Sequence, residues 1–196
     1  MKREQNKIFF DRWAGSYDFS LFQFWMKRFH RAVLEEVEKK KPASLLDISC
    51  GTGELLKELY DKYNTITLEG IDFSEEMLAK AKEKLPPTVK LMQGDVHHLP
   101  YKDTSFDMVV STEAFHHYDD QLKALQEMVR VSKSKVIVVD INFFLRPLHW
   151  LFEKLEPGCV KINNRREMRE LFREAGLKNI KQRKSFLFAV VTIGMK

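Results

Sequence analysis

The sequence predicts an α/β protein built on a doubly wound, seven-stranded, mostly parallel sheet whose last strand is antiparallel. Two observations predict this fold. Short apolar segments typical of buried strands alternate along the chain with longer segments that have the helical periodicity of amphipathic helices. Most of the strand-like segments are rich in Leu, Ile and Val without strict alternation, as parallel strands are when helices cover both faces of their sheet.

The predicted elements follow in order from an N-terminal helix. Its apolar positions recur at helical spacing from about Ser20 to Lys40, and Pro42 ends it. Five strands then alternate with helices; the strands are SLLDI, TITLEGI, TVKLMQG, SFDMVVS and KVIVVDI. The helices among them lie at about 54–63, 74–85 and 119–131, the second with Ser74 as its N-cap. A helix at about 163–175 and two strands, LKNIKQRK and FLFAVVTI, close the chain, and their short connection predicts an antiparallel pair.

The 196 residues are predicted to form a single domain. It comprises an N-terminal helical cap at 1–42, a core at 43–142, and a lid segment, last helix and closing strand pair at 143–196. No apolar run approaches the roughly 18 residues of a membrane span, and the start lacks the apolar core of a signal peptide. Cys50 and Cys159 are too few for a disulfide framework. A cytoplasmic location is therefore expected.

Charge is distributed unevenly along the chain, whose net charge is +5. Residues 1–42 contain 10 Lys/Arg and 6 Asp/Glu, residues 43–142 contain 11 and 17, and residues 143–196 contain 12 and 5. Basic ends favour an anionic partner such as nucleic acid, phospholipid or an acidic substrate. The alternative is that these charges only lie on solvated helix faces and bind no partner. The last predicted helix supports this alternative, because its Glu and Arg residues alternate at helical spacing.

The segment LLDISCGTG, residues 45–53, joins the first strand to its helix. Gly51 and Gly53 permit positive φ and close approach of a ligand, next to the free N–H groups of a helix start. The dinucleotide fingerprint would require a third glycine where Leu56 stands, and the Gly-Lys-Ser/Thr of a phosphate loop is absent. The turn is therefore compatible with a nucleotide-like ligand, although a glycine pair alone is also common in structural turns.

Carboxylates end three successive predicted strands, at Asp47, Asp72 and Asp95. Asp72 follows Gly53 by 19 residues, where an acidic side chain can accept hydrogen bonds from a ribose diol. No basic residue is interleaved at these strand ends, so a triphosphate would be repelled, whereas a nucleoside with positive charge would not. S-adenosylmethionine, with a sulfonium, an ammonium and one carboxylate, is such a ligand.

Three further segments, FFDRWAGSYD, LEGIDFSEEMLAKAKEKL and VKLMQGDVHHLPYKDTSFDMVVS, complete a resemblance. Over about residues 9–140 the chain resembles the class I S-adenosylmethionine-dependent methyltransferases. It is most similar to the small group related to ubiquinone and menaquinone biosynthesis methyltransferases. The resemblance implies a Rossmann-like fold and S-adenosylmethionine as cofactor, with S-adenosylhomocysteine as product. The cofactor-binding residues that it implies are Tyr17, Asp47, Ser49, Gly51, Gly53, Asp72, Phe73, Asp95, Val96 and Ser111.

By that resemblance, residues of the first turn lie at the methionine part of the cofactor. Asp47, Gly51 and Gly53 surround it, and Tyr17 helps to cover it. Ser49 departs from the family pattern, which usually has glycine there. Serine lacks glycine's freedom at positive φ, so the turn is expected to sit slightly differently. Either a small residue suffices at this position, or the cofactor site is weakened or inactive.

The resemblance places the adenosine part of the cofactor against residues of the next two strand ends. Asp72 binds the ribose hydroxyls, and Phe73 lies against the adenine. Asp95 accepts a hydrogen bond from the adenine amino group, and the Val96 backbone contacts the ring.

The stretch STEAFHHYDD, after the fourth strand, carries the candidate base. Methyl transfer from a sulfonium is an in-line displacement, so a protein base is needed only if the acceptor holds a proton. His116 and the adjacent His117 have the pKa range for a base, and His116 is the candidate. The alternative is that both histidines only form part of the cleft wall. Motifs of nucleic-acid amino methylation, cytosine carbon methylation and arginine methylation are absent. Asp140 and Asn142 only partly suggest a metal site, so no metal is expected.

Aromatic residues concentrate in two segments, because nine of the fifteen Phe and all three Trp lie in residues 9–29 and 143–152. We favour the interpretation that these segments form a lid that encloses an apolar or aromatic acceptor. Phe22 and Trp150 would contribute to this lid. A dimer interface, core packing and contact with a membrane surface are the alternatives, and the chain is expected to be a monomer or a homodimer.

The sequence thus predicts an enzyme that methylates a small, lipophilic or aromatic acceptor. A cofactor-binding module, or an accessory subunit without its own catalysis, is the alternative. RNA methylation guided by the basic tail is less favoured, since no RNA-binding appendage is present.

Overall fold

The computed structural model describes residues 11, 20–142, 146–155, 158–186 and 188–196, with the side chains of 20–26, 146–149 and 186 left aside. Its helices are α1 (Ser20–Lys40), α2 (Glu54–Lys62), α3 (Glu75–Lys84), α4 (Gln121–Val131), α5 (Arg146–Leu155) and α6 (Arg165–Glu174), with a 3₁₀ turn at Phe115–His117. Its strands are β1 (Ser44–Ile48), β2 (Thr67–Asp72), β3 (Lys90–Gln93), β4 (Phe106–Thr112), β5 (Ser132–Ile141), β6 (Lys178–Phe186) and β7 (Ala189–Met195).

The seven strands form one sheet in the order β3-β2-β1-β4-β5-β7-β6. Strands β1 to β5 are parallel, and β7 runs antiparallel to both of its neighbours, β5 and β6. The predicted doubly wound sheet with an antiparallel last strand is therefore confirmed. The strand order reverses between β1 and β4, which is the point where open α/β sheets bind ligands beyond the carboxyl ends of their strands.

Helices cover both faces of the sheet, which explains the continuous apolar strands. On one face α1, α2 and α3 bury residues such as Phe29, Leu56 and Leu78. On the other face α4 and α6 bury residues such as Leu125 and Phe172. The two layers hold the carboxyl edge of the parallel strands in fixed register, and that edge carries the predicted site.

Several element ends agree with the sequence signals. The bounds of α1 and β1 are those predicted, and Ser74 is confirmed as an N-cap because its Oγ accepts the Met77 N–H at 3.1 Å. Asn164 and Glu167 form a capping box at the start of α6. The helix α5 was not predicted: the sequence indicated only an aromatic lid segment there.

Candidate active site

A cleft opens at the carboxyl edge of the sheet, above the gap between β1 and β4. It encloses about 970 Å³, counting its open mouth, and its walls come mainly from the residues that follow β1, β2, β3 and β4. The predicted residues Ser49, Gly51, Asp72 and Phe73 all line this cleft.

Gly51 is placed where a ligand would approach the backbone. Its φ is +53°, and a Cβ built on it would meet nothing within 4 Å. Its N–H donates to Asp72 Oδ2 at 2.8 Å, which ties the first turn to the end of β2. Because the missing side chain would project into open space rather than into protein, packing does not explain this glycine.

Gly53, unlike Gly51, is closely surrounded by side chains. Its φ is +80°, but a Cβ there would lie 2.7 Å from Leu85 Cδ1 and 3.1 Å from Ala81 Cβ. Gly53 is not among the described residues that line the cleft. Packing of the start of α2 against the α3 region therefore accounts for this glycine, which the resemblance had placed at the cofactor.

A smaller recess of about 330 Å³ adjoins the cleft at Ser49 and Gly51. Asp47 and His30 line it, and both side chains are buried. Among the described residues, Asp47 Oδ1 has no hydrogen-bond partner. Burial, and then the nearby charge of Asp72, hold the pKa of the Asp47 carboxyl well above its ordinary value. A cationic group in the recess would satisfy both the free oxygen and the buried charge.

His30 was missed by sequence reasoning. It belongs to α1, and its Nδ1 lies 2.9 Å from Glu58 Oε1 of α2. The sequence signal was a histidine next to the apolar stripe of a helix, which is more often a packing position than a binding one.

Asp72 ends β2 and is fixed by backbone donors. Its Oδ1 accepts the Ser74 N–H at 2.9 Å, and its Oδ2 accepts the Gly51 N–H. Burial raises the pKa of this carboxyl, while these backbone hydrogen bonds oppose the increase. Each carboxylate oxygen has a second lone pair, so Asp72 can still accept hydrogen bonds from hydroxyl groups in the cleft.

His97 joins the two walls of the cleft. Its Nδ1 lies 2.7 Å from Asp95 Oδ1, which also accepts the His97 N–H at 2.9 Å. Its Nε2 lies 3.0 Å from Asp119 Oδ1. His97, Asp95, Val96 and Asp119 line the cleft, and the two bonds from His97 to Asp95 Oδ1 hold that carboxylate in place at its surface. The sequence gave no sign of this contact with Asp119.

Tyr118 forms a second link across the cleft. Its hydroxyl lies 2.9 Å from Ser49 Oγ and 3.0 Å from Ser111 Oγ. Ser49 keeps a positive φ of 57°, the left-handed region that glycine would favour. Ser111 is fully buried and is not among the residues that line the cleft, so it supports Tyr118 from behind.

The two adjacent histidines differ in position. His116 is buried, and its Nδ1 lies 2.6 Å from Asp140 Oδ1, where it donates to the carboxylate. It is not among the described residues that line the cleft, whereas His117 is. Burial, and then the neighbouring His116, lower the pKa of His117 to about 3, so its imidazole is neutral near pH 7. His117, rather than the candidate base His116, is therefore the histidine that lines the cleft.

Comparison with known proteins agrees with this geometry. Residues 46–139 match a family model described as a methyltransferase domain. A demethylmenaquinone methyltransferase of Staphylococcus aureus is 31% identical over 202 aligned positions, which cover 89% of this chain and 82% of the relative. The chain belongs to the class I S-adenosylmethionine-dependent methyltransferases.

Solved methyltransferase structures share the fold of this methyltransferase. The methyltransferase from a Haloferax volcanii complex with the Trm112 activator has a TM-score of 0.80 at 22% identity, covering 95% of this chain and 96% of that chain. Human N-acetylserotonin methyltransferase, solved with S-adenosylmethionine, has a TM-score of 0.71 at 17% identity, and the match covers 85% of this chain and 51% of that chain.

The residues of the methyltransferase fit its cofactor. The space beside Gly51 is open to a ligand, and the free Asp47 oxygen in the adjoining recess suits an ammonium group. Tyr17, predicted to cover that end, lies outside the described residues.

Asp140 and Asn142, which partly suggested a metal site, have structural partners instead. Asp140 Oδ1 binds His116, and Asn142 Nδ2 donates to the Asn163 carbonyl at 2.9 Å. Within the described ranges, no cluster of three or more His, Cys, Asp or Glu side chains is arranged to hold a metal ion.

The predicted aromatic lid is only partly within the described residues. The Phe22 side chain lies outside them. Trp150 is 58% exposed and is not among the residues lining the cleft, so it does not close over the acceptor in this structure. No described helix is both long and apolar enough to cross a membrane.

Proposed function

We propose that this methyltransferase methylates a small, lipophilic aromatic acceptor of the quinol class. The observation that carries the proposal is the wall of the cleft after β4. It presents Ala114 and a neutral His117 together with the carboxyl groups of Glu113 and Asp119, and Val160 from a later segment lies in the same cleft, so an acceptor would meet an apolar surface with a few polar groups. The similarity to a demethylmenaquinone methyltransferase supports the same class of acceptor.

The strand ends would hold S-adenosylmethionine, which supplies a methyl group activated by its sulfonium. Asp47 would bind the ammonium group in the recess, and the open side of Gly51 would admit the methionine part. Asp72 would bind the ribose hydroxyls. Asp95, held by His97, would accept from the adenine amino group. Phe73 and Val96, which line the cleft, would contact the adenine ring.

His117 would orient the acceptor. Because its pKa is lowered to about 3, it is a weak proton acceptor at neutral pH, but a neutral imidazole can hydrogen-bond a hydroxyl group. Placing the reacting atom on the transfer axis is the larger part of catalysis in such a displacement. His117→Ala should therefore raise KM for a quinol and lower kcat, with little change in cofactor affinity.

The test is a screen for S-adenosylhomocysteine release with quinols, phenols, fatty acids and short RNAs as acceptors. The proposal expects turnover with quinols or phenols and a clear loss of it in His117→Ala. Preferential turnover of fatty acids or RNA would contradict the proposed acceptor class.

One observation supports an alternative, a requirement for a protein partner. The Haloferax volcanii structure is a complex with a methyltransferase activator, although that likeness is one of fold. Normal S-adenosylhomocysteine binding without turnover of any acceptor in the screen would favour this alternative.

A further inference from the structure

The largest group of exposed apolar side chains in the described chain lies on α5. Trp150 is 58% exposed, Leu151 45% and Leu155 70%. The other large apolar side chains with comparable exposure are Tyr60 at 38% and Met92 at 41%, on α2 and β3. Three neighbouring residues of one short helix therefore carry most of this exposure.

These side chains share one face of α5 with a cation. Trp150, Leu151, Lys154 and Leu155 stand at positions i, i+1, i+4 and i+5, and we name this set the α5 face. Lys154 Nζ lies 3.9 Å from the centre of the Trp150 ring, a cation–π contact. Glu153 is engaged elsewhere, because its Oε1 accepts the Ile162 N–H at 2.9 Å. The α5 face is therefore apolar and positively charged.

The α5 face is attached to the acceptor side of the cleft. The bond from Ile162 to Glu153 fixes α5 to the segment that follows it. In that segment the Val160 and Lys161 N–H groups donate to the His116 carbonyl at 2.9 and 3.2 Å, and Val160 lines the cleft. A surface bound to the α5 face would consequently lie near the place where the acceptor enters.

We propose that the α5 face docks on an anionic bilayer surface and brings the cleft to an acceptor dissolved in the bilayer. Tryptophan favours the bilayer interface, and a lysine stem can extend along apolar surface while its ammonium remains at the headgroups. The segment that contains α5, residues 143–196, has a net positive charge from 12 Lys/Arg and 5 Asp/Glu, which favours anionic lipid over neutral lipid. The delivery step rests on the proposed function, whereas the docking does not.

The extent of the α5 face favours a bilayer over a second protein. The four described side chains of this face are far fewer than the roughly 20–30 residues that each partner contributes to a stable protein interface. Partial insertion of a few apolar side chains, assisted by positive charge, is sufficient for reversible binding to a membrane surface.

Sedimentation of the full chain with lipid vesicles tests the docking. Vesicles of phosphatidylcholine with phosphatidylglycerol should bind the wild type, and phosphatidylcholine alone should bind it less. The triple variant Trp150→Ser, Leu151→Ser, Leu155→Ser should reduce partitioning by about tenfold or more, since most of the inserted apolar surface is lost. Lys154→Glu should weaken binding mainly to the anionic vesicles. The matched control Tyr60→Ser, Met92→Ser removes exposed apolar groups elsewhere and should bind as the wild type does.

Three results would overturn the docking proposal. They are failure of the wild type to sediment with anionic vesicles, an equal loss in the control variant, and a wild-type dimer, seen by light scattering, that the triple variant abolishes. Circular dichroism and thermal unfolding establish that the triple variant is folded.

Turnover separates this proposal from the proposed function. A water-soluble, short-chain quinol should be methylated equally well by the wild type and the triple variant, while a long-chain quinol in vesicles should be methylated at least about fivefold more slowly by the variant. Vesicle binding without methylation of any quinol would contradict the proposed acceptor and leave the docking established. Equal rates on the long-chain quinol would overturn the delivery step.

Discussion

The substitutions Gly51→Ala and Gly53→Ala form a matched pair in the first turn. Both glycines have positive φ, +53° and +80°, so both substitutions force alanine into the left-handed region at a cost of about 1–2 kcal/mol. The two sites differ in what a new Cβ would meet. At Gly51 it meets open space, and at Gly53 it meets side chains of the α3 region.

The effects on stability should differ accordingly. Gly51→Ala should lower the free energy of unfolding by about 1–2 kcal/mol, the backbone cost alone. At Gly53 the Cβ would lie 2.7 Å from Leu85 Cδ1 and 3.1 Å from Ala81 Cβ, which adds overpacking. Overpacking typically costs about 1–3 kcal/mol, so Gly53→Ala should lower the free energy of unfolding by about 2–5 kcal/mol.

The effects on cofactor binding should have the opposite order. The Gly51 Cβ would occupy space that the methionine part of the cofactor needs, so Kd for S-adenosylhomocysteine should rise by about tenfold or more, equivalent to about 1.4 kcal/mol. Gly53 does not line the cleft, and its variant should bind within about threefold of the wild type once it is folded.

Urea unfolding and isothermal titration calorimetry on both variants measure the two effects. The expected pattern is a crossed one, in which the more stable variant is the weaker binder. Normal binding by Gly51→Ala would refute a ligand role for this glycine and leave the turn purely structural. Equal stability of the two variants would refute the packing explanation for Gly53.

Three further predictions concern the links around the cleft. Ser49→Gly should change the free energy of unfolding by no more than about 1 kcal/mol, because relief of left-handed strain offsets the lost hydrogen bond to Tyr118. Tyr118→Phe should lower the free energy of unfolding by about 0.5–1.5 kcal/mol. Additive effects in the double variant, measured by urea unfolding, would show that the two residues are not coupled. His97→Ala should weaken S-adenosylhomocysteine binding by about fivefold or more. His98→Ala should have a smaller effect, because its side chain is 77% exposed and lies 3.7 Å from the other Asp95 oxygen, Oδ2. Equal affinities of the two variants by calorimetry would contradict a positioning role for His97. Because the pKa of Asp47 is raised above 3.8, its ionised form weakens the fold as pH rises. Asp47→Asn should therefore stabilise the cofactor-free protein at pH 7, with a gain that shrinks toward pH 4, and should weaken cofactor binding; a gain that does not change with pH in thermal unfolding would contradict this titration.

The architecture could be predicted from the sequence because its signals agree along most of the chain. Apolar strands, amphipathic helices and end signals such as Pro42 and Ser74 indicate the same fold. The helix α5 departs from these signals. Its exposed residues include Trp150, Leu151 and Leu155, so its apolar residues do not mark a buried stripe, and the segment indicates a lid more than a packed helix.

In the candidate site, too, some features could be predicted from the sequence and others could not. The ends of parallel strands meet at one edge, so the strand-end aspartates Asp72 and Asp95 could be brought together from sequence alone. The orientation of His116 and His117 could not. They are consecutive in a 3₁₀ turn, where neighbouring side chains diverge by roughly a third of a turn, so one faces the cleft while the other is buried on Asp140. Only the three-dimensional position of the turn decides which of the two histidines lines the cleft.

Ser49 bears most directly on whether the chain is a catalyst. As a departure from the family's glycine, it left two alternatives open: either a small residue suffices there, or the cofactor site is weakened or inactive. In the structure Ser49 holds a φ of 57°, and its hydroxyl lies 2.9 Å from the Tyr118 hydroxyl, a hydrogen bond that glycine could not make. A hydrogen bond worth about 0.5–1.5 kcal/mol is of the same size as the left-handed strain of about 1–2 kcal/mol, so the turn keeps a glycine-like backbone at small net cost. The serine also ties this turn to Tyr118, on the loop that carries His117. The departure from glycine at this position is therefore better explained as a hydrogen-bonded link between the turn after β1 and the loop after β4.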